Sequence, residues 1–391
     1  MKVCSIFSQV LKLFSRGGFE KAVKQHKAER HARGFTSWGQ FIAMLFCQVG
    51  RAHSLREICG GLACCEGQLK HLGVPVAPKR STLAYANEHR PWELYQTVFE
   101  QTLSKCQELV RSQGGRKKFR FKNKLMSLDG SIIDLSVSMF DWAKFRRTKG
   151  AIKLHLLLDH DGYLPSFAVV TEGKTSEIKV ARTLRFAPGT ILAIDRGYND
   201  YAWFRELTQE EVYFVTRMKE KAVYEIKEEL EVPQNRNVVR DQIICFPRLA
   251  RQGEKPVLFR RVEIWDAEKE EAIVFLSNLL AFGATTIAAI YKDRWQVELF
   301  FRALKQNLRV KTFVGTSENA LQTQIWTALV AMLLIKYLQL RSTFGWSLSN
   351  LVALLRQQLF VHRNLWQWID SPFQPPPLLD LVVEQLPLGL E

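Results

Sequence analysis

The sequence predicts an α/β protein in which a core of strands and helices is interrupted by a β-rich insertion and preceded by an all-α N-terminal domain. Three observations along the 391 residues predict this class. The chain begins with segments of helical periodicity, changes near Lys124 to short apolar runs typical of strands, and returns to strand patterns before a long amphipathic helix begins near Thr285. These changes divide the chain into residues 1–120, 121–220, 221–280, 281–345 and 346–391, the last of them a C-terminal helical region.

Apolar residues at helical spacing fill the N-terminal domain. The segment TSWGQFIAMLFCQV is one example, and Thr36 or Ser37 supplies its N-cap. The domain closes with RSQGGRKKFRFKNK (residues 111–124), which has seven basic residues, no acidic ones and a Gly-Gly hinge. Two interpretations stay open, a boundary loop that lies on DNA and a solvated linker.

The positive charge of the chain is concentrated at its beginning. Residues 1–124 contain 22 Lys and Arg against 8 Glu and no Asp, whereas the rest of the chain contains 33 basic against 31 acidic residues. A basic front on a nearly neutral body predicts a polyanionic partner, most simply nucleic acid bound through its phosphates. The alternative is a basic face that only aids solubility.

Composition argues against membrane and secreted proteins. The most apolar run, IWTALVAMLLI (residues 325–335), has 11 residues, fewer than the ~18 of a membrane span, and is predicted to be a core helix. The N-terminus lacks the long apolar run and the small-residue cleavage site of a signal peptide, so we expect a cytoplasmic protein with no membrane partner.

The core segment reads as βββ-α-β-α-β. Its strands are LMSLDGSIIDLSV, GAIKLHLLLDHDG, LPSFAVVTEGK, TILAIDRGY and VYFVTRMK, with helices over SEIKVARTL and NDYAWFRELTQE. In this order the first and fourth strands lie side by side. Asp129 in the first strand and Asp195 in the fourth would then be neighbours. Each could also be structural, holding a turn at Gly130 or pairing with Arg196, because a buried carboxylate is costly unless it is paired.

The amphipathic helix YKDRWQVELFFRALKQN (residues 291–307) carries one carboxylate among three cations. At 100° per residue, Arg294, Glu298, Arg302 and Lys305 fall within about 80° of one another. The simple explanation is a set of i,i+4 ion pairs on a solvated face. The alternative is that Glu298 meets the two aspartates.

Three clustered carboxylates repel one another unless cations neutralise them. Hard oxygen ligands suit Mg2+, with Mn2+ as the alternative ion, and phosphoryl transfer uses two such ions. One ion activates the nucleophile and the other stabilises the leaving oxygen. Asp129, Asp195 and Glu298 are therefore predicted to be both catalytic and metal-ligating, and Arg294, Arg302 and Lys305 to meet phosphate oxygens.

At these residues the chain resembles a known family. Tyr291, Arg294, Glu298 and Lys305 reproduce the signature Y-x2-R-x3-E-x6-K of the insertion-sequence-four family of bacterial DDE transposases. LDGS around Asp129, DRGYND around Asp195 and the downstream FVTRMK are similar to further motifs of that family. The two spacings of the triad are 66 and 103 residues, and the long second gap resembles members that insert a β-rich domain before the glutamate.

The resemblance implies a ribonuclease-H-like fold and Mg2+-dependent strand cleavage and strand transfer within a paired-end homodimer. The implied partners are double-stranded DNA of the terminal inverted repeats and the target DNA. Tyr291, Arg294 and Lys305 would hold the transposon end, and residues 1–120 would recognise DNA. Further DNA contacts are expected from the basic residues Arg302, Arg116, Lys117, Lys118 and Arg120.

Two other functions stay open at this point. One is a ribonuclease-H-like nuclease that acts on structured nucleic acid, and the other is a domesticated DNA-binding protein without catalysis. An intact carboxylate triad argues against the second. Joining of a cut 3′ end to a target would exclude the first.

Overall fold

The computed structural model describes residues 4–30, 32, 34–65, 69–114, 118–135, 144–146, 149–234, 237–249, 256–308 and 313–374. The α-helices are α1 (Ile6–Leu11), α2 (Arg16–Gln25), α3 (Ser37–Gly50), α4 (Leu55–Ala63), α5 (Arg80–His89), α6 (Glu93–Ser112), α7 (Glu177–Ala181), α8 (Tyr201–Gln209), α9 (Ala284–Asp293), α10 (Trp295–Asn307), α11 (Glu318–Arg341), α12 (Leu348–Gln358) and α13 (Leu365–Asp370). The strands are β1 (Leu125–Leu135), β2 (Lys144–Arg146), β3 (Lys149–Asp159), β4 (Leu164–Glu172), β5 (Ile191–Ile194), β6 (Tyr213–Arg217), β7 (Glu225–Glu229), β8 (Val238–Cys245), β9 (Leu258–Asp266) and β10 (Glu271–Ser277).

Side-chain caps start several N-terminal helices. The hydroxyl groups of Ser15, Thr36 and Ser54 each accept a hydrogen bond from a backbone N–H in the first turn of α2, α3 and α4. Such a cap typically stabilises a helix by about 1 kcal/mol. Thr36 is thus the N-cap of α3, one of the two residues that the sequence predicts for that position.

The N-terminal helices share one apolar core with the C-terminal helices. The core joins buried side chains from α3, α6, α11, α12, β1 and β3, among them Phe41, Tyr95, Leu329, Leu351, Ile133 and Leu154. Within the described part of the chain, α11 is the one helix long and apolar enough to cross a membrane, and 83% of its most apolar window is buried inside the protein. It is therefore a core helix, as its apolar run predicts.

A mixed sheet of ten strands forms the centre of the fold, in the order β2-β3-β1-β5-β6-β10-β9-β8-β7, with β4 also paired to β3. β1, β5 and β6 are parallel, whereas β3 runs antiparallel to β1. The predicted neighbourhood of the first and fourth core strands is the observed β1–β5 pair. Helices cover both faces of this pair, because Phe204 of α8 packs with Leu192, whereas Ile287 of α9 packs with Ala193 on the opposite face.

The strands of residues 221–280 extend this sheet. β10 pairs with β6, and β9, β8 and β7 follow in antiparallel order. Leu276 in β10 is fully buried, so the join to the core is itself part of an apolar layer. The segment is β-rich, as predicted, and it continues the core sheet.

The basic segment before β1 lies against the core. The rings of Phe119 and Phe121 stack with centroids 5.0 Å apart. Lys124 forms an ion pair of 3.1 Å with Asp159, and the Asn123 side chain donates to the carbonyl oxygen of Gly189. Residues 118–124 are thus packed on the sheet at several points, whereas the predicted DNA contacts Arg116 and Lys117, like residues 375–391, lie outside the described residues.

Candidate functional site

Two aspartates lie at neighbouring positions on β1 and β5. Leu128 and Ile194 are register partners in this parallel pair, so the residues that follow them, Asp129 and Asp195, come next to each other where β5 ends. Parallel strands are only about 4.8 Å apart. β1 does not turn at Gly130 but stays paired with β3 to its end, and Arg196 forms an ion pair with Glu220. Neither simple structural explanation of these aspartates therefore accounts for their position.

Arg294 joins Glu298 to the first aspartate. Its Nη2 donates to Glu298 Oε1 over 2.6 Å, and its Nη1 lies 3.9 Å from Asp129 Oδ2. The predicted single helix is split here, because α9 ends at Asp293 and α10 begins at Trp295, although Arg294 itself keeps helical φ and ψ angles. The guanidinium group of Arg294 lies between the two carboxylates.

Two other signature residues connect α9 and α10 to the sheet. The Tyr291 hydroxyl donates to Asp195 Oδ1 over 3.4 Å, and Lys305 Nζ donates to the backbone carbonyl of Ile132 in β1 over 2.7 Å. Arg302 is exposed, with its guanidinium carbon 5.8 Å from the centre of the Trp295 ring. Three of the four predicted cationic or aromatic contacts on this helix thus reach the carboxylate strands, and Arg302 faces solvent.

The site carries more negative charge than its single guanidinium offsets. The pKa of the Asp129 carboxyl is raised to about 7, mainly by burial and also by the charges of Asp195 and Glu298, while the Gly130 N–H and Arg294 oppose the rise. Burial in a medium of low dielectric disfavours the charged form of a carboxyl, and a nearby positive charge favours it. A divalent cation would supply that charge.

A buried tyrosine and a fourth carboxylate complete the surroundings. Tyr198 is 1% exposed, and its hydroxyl has no hydrogen-bond partner among the described residues. Burial raises the pKa of Tyr198, and the charges of Asp129, Glu177 and Asp195 raise it further. Glu177 Oε2 would lie 2.8 Å from a Cβ atom at Gly197, so the glycine is what allows this carboxylate to approach.

The carboxylates of the site are the right type of ligand for a hard divalent ion, but they are not yet arranged around one. In the described parts of the chain, no three Asp, Glu, His or Cys side chains are placed so that they could hold an ion together as they stand. Arg294 lies between Asp129 and Glu298 as their counter-charge. Carboxylate oxygens are the ligands that Mg2+ and Mn2+ prefer. Release of Glu298 from Arg294 would free its oxygens for such an ion.

The sequence alone did not mark four polar residues around the site as functional: Ser127, His160, Tyr198 and Asp293. Tyr198 could have been found, because it follows Asp195 in the DRGY segment. The other three come from separate segments and meet only in the fold. Two acidic residues behave as surface groups, since Asp134 is exposed on β1 and Asp161 is exposed in the turn after β3.

The raised pKa of Asp129 predicts that its charge destabilises the metal-free fold. The pKa of Asp129 is about 7 in the folded state, above its usual value of 3.8. The destabilisation therefore begins as the pH rises above 3.8 and is complete once the pH exceeds about 7. We expect Asp129→Asn to raise the Tm in EDTA by roughly 3 °C or more near pH 8 and by less near pH 5. Thermal unfolding at both pH values, with Asp134→Asn as the control, checks this. An Asn variant that melts lower near pH 8 would contradict it.

Comparison with known proteins finds a family of transposases. A family model described as "Transposase DDE domain" matches residues 126–334, and one described as "Domain of unknown function (DUF4372)" matches residues 3–75. A protein of Sinorhizobium fredii assigned as transposase y4zB is 27% identical over 82% of this chain and 88% of its own length. A protein of Synechocystis sp. assigned as the transposase of insertion sequence element IS4SA is 23% identical over 74% of this chain and 80% of its own length.

A solved structure was also found, described as the piggyBac transposase synaptic complex with hairpin DNA. It is 10% identical, and the similarity covers 96% of this chain and 81% of that chain. Its TM-score of 0.44 is too low to support an argument about this chain. The sequence relationships carry the assignment, because the domain match at residues 126–334 spans more than half of the chain and includes both aspartates and Glu298. The chain therefore belongs to the DDE transposase family, and within it to the insertion-sequence-four type that its signature helix predicts.

Proposed function

We propose that this transposase cuts and joins DNA ends at the cluster of Asp129, Asp195 and Glu298, which holds two Mg2+ ions, with Mn2+ as the alternative. One observation carries the proposal. Arg294 contacts both Asp129 and Glu298, while Tyr291 on the same helical segment reaches Asp195. Carboxylates that are distant in the sequence thus surround one small volume. Burial is the main cause of the raised pKa of Asp129, and the charges of Asp195 and Glu298 add to it.

Bound ions would lower the pKa of the attacking water or sugar hydroxyl and stabilise the leaving oxygen. The protein's own residues fix where this happens. Tyr291 orients the Asp195 carboxylate by its hydrogen bond, and Lys305 holds α10 on β1. When Glu298 turns to an ion, the guanidinium of Arg294 is free to donate to a phosphate oxygen, which is the contact that an arginine fork suits best.

Exposed cations would form the proposed DNA surface. Arg302 is exposed on α10, and Arg120 is exposed on the segment before β1. With Arg116 and Lys117 they would contact phosphates of the transposon end. Residues 1–120, which carry most of the excess positive charge, would recognise terminal inverted repeats.

The finer fold assignment is also a proposal. β1 to β6 with α7 to α11 would form a ribonuclease-H-like core, and β7 to β10 would be its insertion. This proposal is supported by the strand directions, since an antiparallel β4-β3-β1 meander is followed by parallel β5 and β6. The active assembly would be a homodimer in the cytoplasm that holds two transposon ends and captures target DNA.

The test is a cleavage and strand-transfer assay with the full chain. The substrate is a duplex that ends in the inverted repeat read from the DNA flanking the gene, with a supercoiled plasmid as the target. We expect Mg2+-dependent cleavage at the repeat end and joining of the 3′ end to the plasmid, with none in EDTA. Cleavage without joining would favour the structured-DNA nuclease, and binding without cleavage would favour a non-catalytic DNA-binding protein.

A further inference from the structure

A network of hydrogen bonds centres on the buried carboxylate of Asp293. Its side chain is 1% exposed. Oδ1 lies 2.6 Å from Lys118 Nζ, and Oδ2 lies 2.6 Å from His160 Nδ1. The Tyr163 hydroxyl approaches both oxygens at 3.4 to 3.5 Å. Burial alone would raise the pKa of Asp293, but hydrogen bonds from His160 and Lys118 outweigh it and hold the pKa below its usual value. The carboxylate is therefore charged and depends on these donors.

His160 extends the network to β1. Its Nε2 lies 2.7 Å from Ser127 Oγ, so when Nδ1–H donates to Asp293 the neutral ring accepts from the serine hydroxyl. The Ser–His–Asp order is that of a hydrolytic triad, but Ser127 is completely buried and no substrate could reach it. The bonds therefore fix positions and do not make a nucleophile.

The network meets the active site at two points of the backbone. Asp293 is the last residue of α9 and directly precedes Arg294, which contacts Asp129 and Glu298. Ser127 precedes Asp129 by two residues on β1, and its side chain points to the same face of that strand. The donors to Asp293 thus tie the break between α9 and α10 to the strand that carries the first aspartate.

Lys118 connects this network to the segment that joins the N-terminal helices to the core. Its side chain is 56% exposed, whereas its partner carboxylate is almost fully buried. A buried carboxylate that loses its partner is strongly disfavoured, so Asp293 retains the ammonium group more firmly than an exposed acid would. Lys118 is one of the cations that the sequence marks as a DNA contact, and the ion pair leaves little of its charge for a phosphate.

We propose that Lys118 is a positioning residue for the active site, which acts through Asp293 to fix Arg294 against Asp129 and Glu298. This inference rests on the proposed function. Without Lys118, Asp293 keeps its contacts to His160 and Tyr163 but loses its ion pair, so the junction of α9 and α10 is held less firmly. A misplacement of about 1 Å in a catalytic site can cost roughly 100-fold in rate. A phosphate contact would act differently, because its loss weakens DNA binding and leaves chemistry on bound DNA unchanged.

The test compares three full-length variants, Lys118→Met, Lys118→Arg and the control Lys122→Met, which removes an exposed lysine of the same segment. We expect Lys118→Met to lower the cleavage rate at saturating DNA by about tenfold or more, with KM within about twofold of wild type. The Arg variant, which keeps the charge, should recover most of the rate. The salt dependence of DNA binding should be unchanged by Lys118→Met, whereas removal of a phosphate contact reduces the slope by ~0.9 in log K against log[salt].

Hydrogen exchange supplies a readout that does not need activity. Exchange of the amides of residues 291–298 should be faster in Lys118→Met than in wild type, Lys118→Arg or Lys122→Met. A salt slope reduced by ~0.9 together with a normal rate at saturating DNA would make Lys118 a phosphate contact and overturn the proposal. Unchanged exchange at this junction would also overturn it. Wild-type protein that fails to cleave would count against the proposed function alone, because the exchange result stands apart from it.

Discussion

Replacement of any one carboxylate of the triad is expected to reduce Mg2+-dependent cleavage of transposon-end DNA by roughly 10³-fold or more. Asp129→Asn, Asp195→Asn and Glu298→Gln each remove one ligand charge at almost constant volume. The three side chains surround one volume with Arg294 between two of them, so loss of one weakens the hold on both ions. Double variants should lose little more than single ones, because the residues act as a unit.

DNA binding separates this effect from unfolding. The three variants should bind end DNA at least as well as wild type, since each removes negative charge that repels phosphate. Asp134→Asn is the matched control, because Asp134 lies on the same strand as Asp129, is exposed and should keep most activity. Near-normal cleavage by a folded triad variant, measured on labelled end DNA, would show that the residue is not a ligand.

The second large effect is expected at the signature helix. Arg294→Ala removes the cation between Asp129 and Glu298, and Lys305→Ala removes the bond from α10 to the Ile132 carbonyl. Both should reduce cleavage or paired-end assembly by roughly 10- to 100-fold, since both would misplace groups that are proposed to meet the scissile phosphate. Arg294→Lys should recover only part of the loss, because an ammonium group cannot bridge two partners as a guanidinium fork does.

Gln296→Ala is the control for this pair. Gln296 lies on α10 but away from the carboxylates, where it lines a cavity with Phe300 and Ser349. Gel-shift and cleavage measurements on all variants should therefore find a small effect at Gln296. Equal losses from the changes at Arg294, Lys305 and Gln296 would mean that the helix is only structural.

Local pattern predicted the parts of the fold that depend on local chemistry. The apolar strands around Asp129 and Asp195 and the order βββ-α-β-α-β lead to the observed β1–β5 pair, because few arrangements of such strands are open to a chain. The hydroxyl of Thr36 marks the start of α3 for the same local reason. The residues of the signature helix were predicted because the motif fixes their spacing.

Contacts between distant segments were not open to such reasoning. The helix break at Arg294 involves neither proline nor glycine. It accompanies the buried bonds of Asp293 to Lys118 and His160, which come from two other parts of the chain. No local sequence pattern predicts that Asp293, Lys118 and His160 are in contact. The common core of the N-terminal helices and α11 was likewise hidden, since an amphipathic helix shows that it has a partner and not which one.

The carboxylates of the proposed site must rearrange when they bind metal. Arg294 bridges Asp129 and Glu298, and the proposed two-metal site requires that divalent ions replace it between them. The most direct measurement is anomalous diffraction from crystals of the protein with end DNA and Mn2+. We expect two Mn2+ peaks about 3.5 to 4 Å apart, ligated by Asp129, Asp195 and Glu298, with Arg294 turned to a phosphate oxygen. Ordered DNA at the site with Glu298 still paired to Arg294, and no Mn2+ peak on the two aspartates, would contradict the proposed two-metal site.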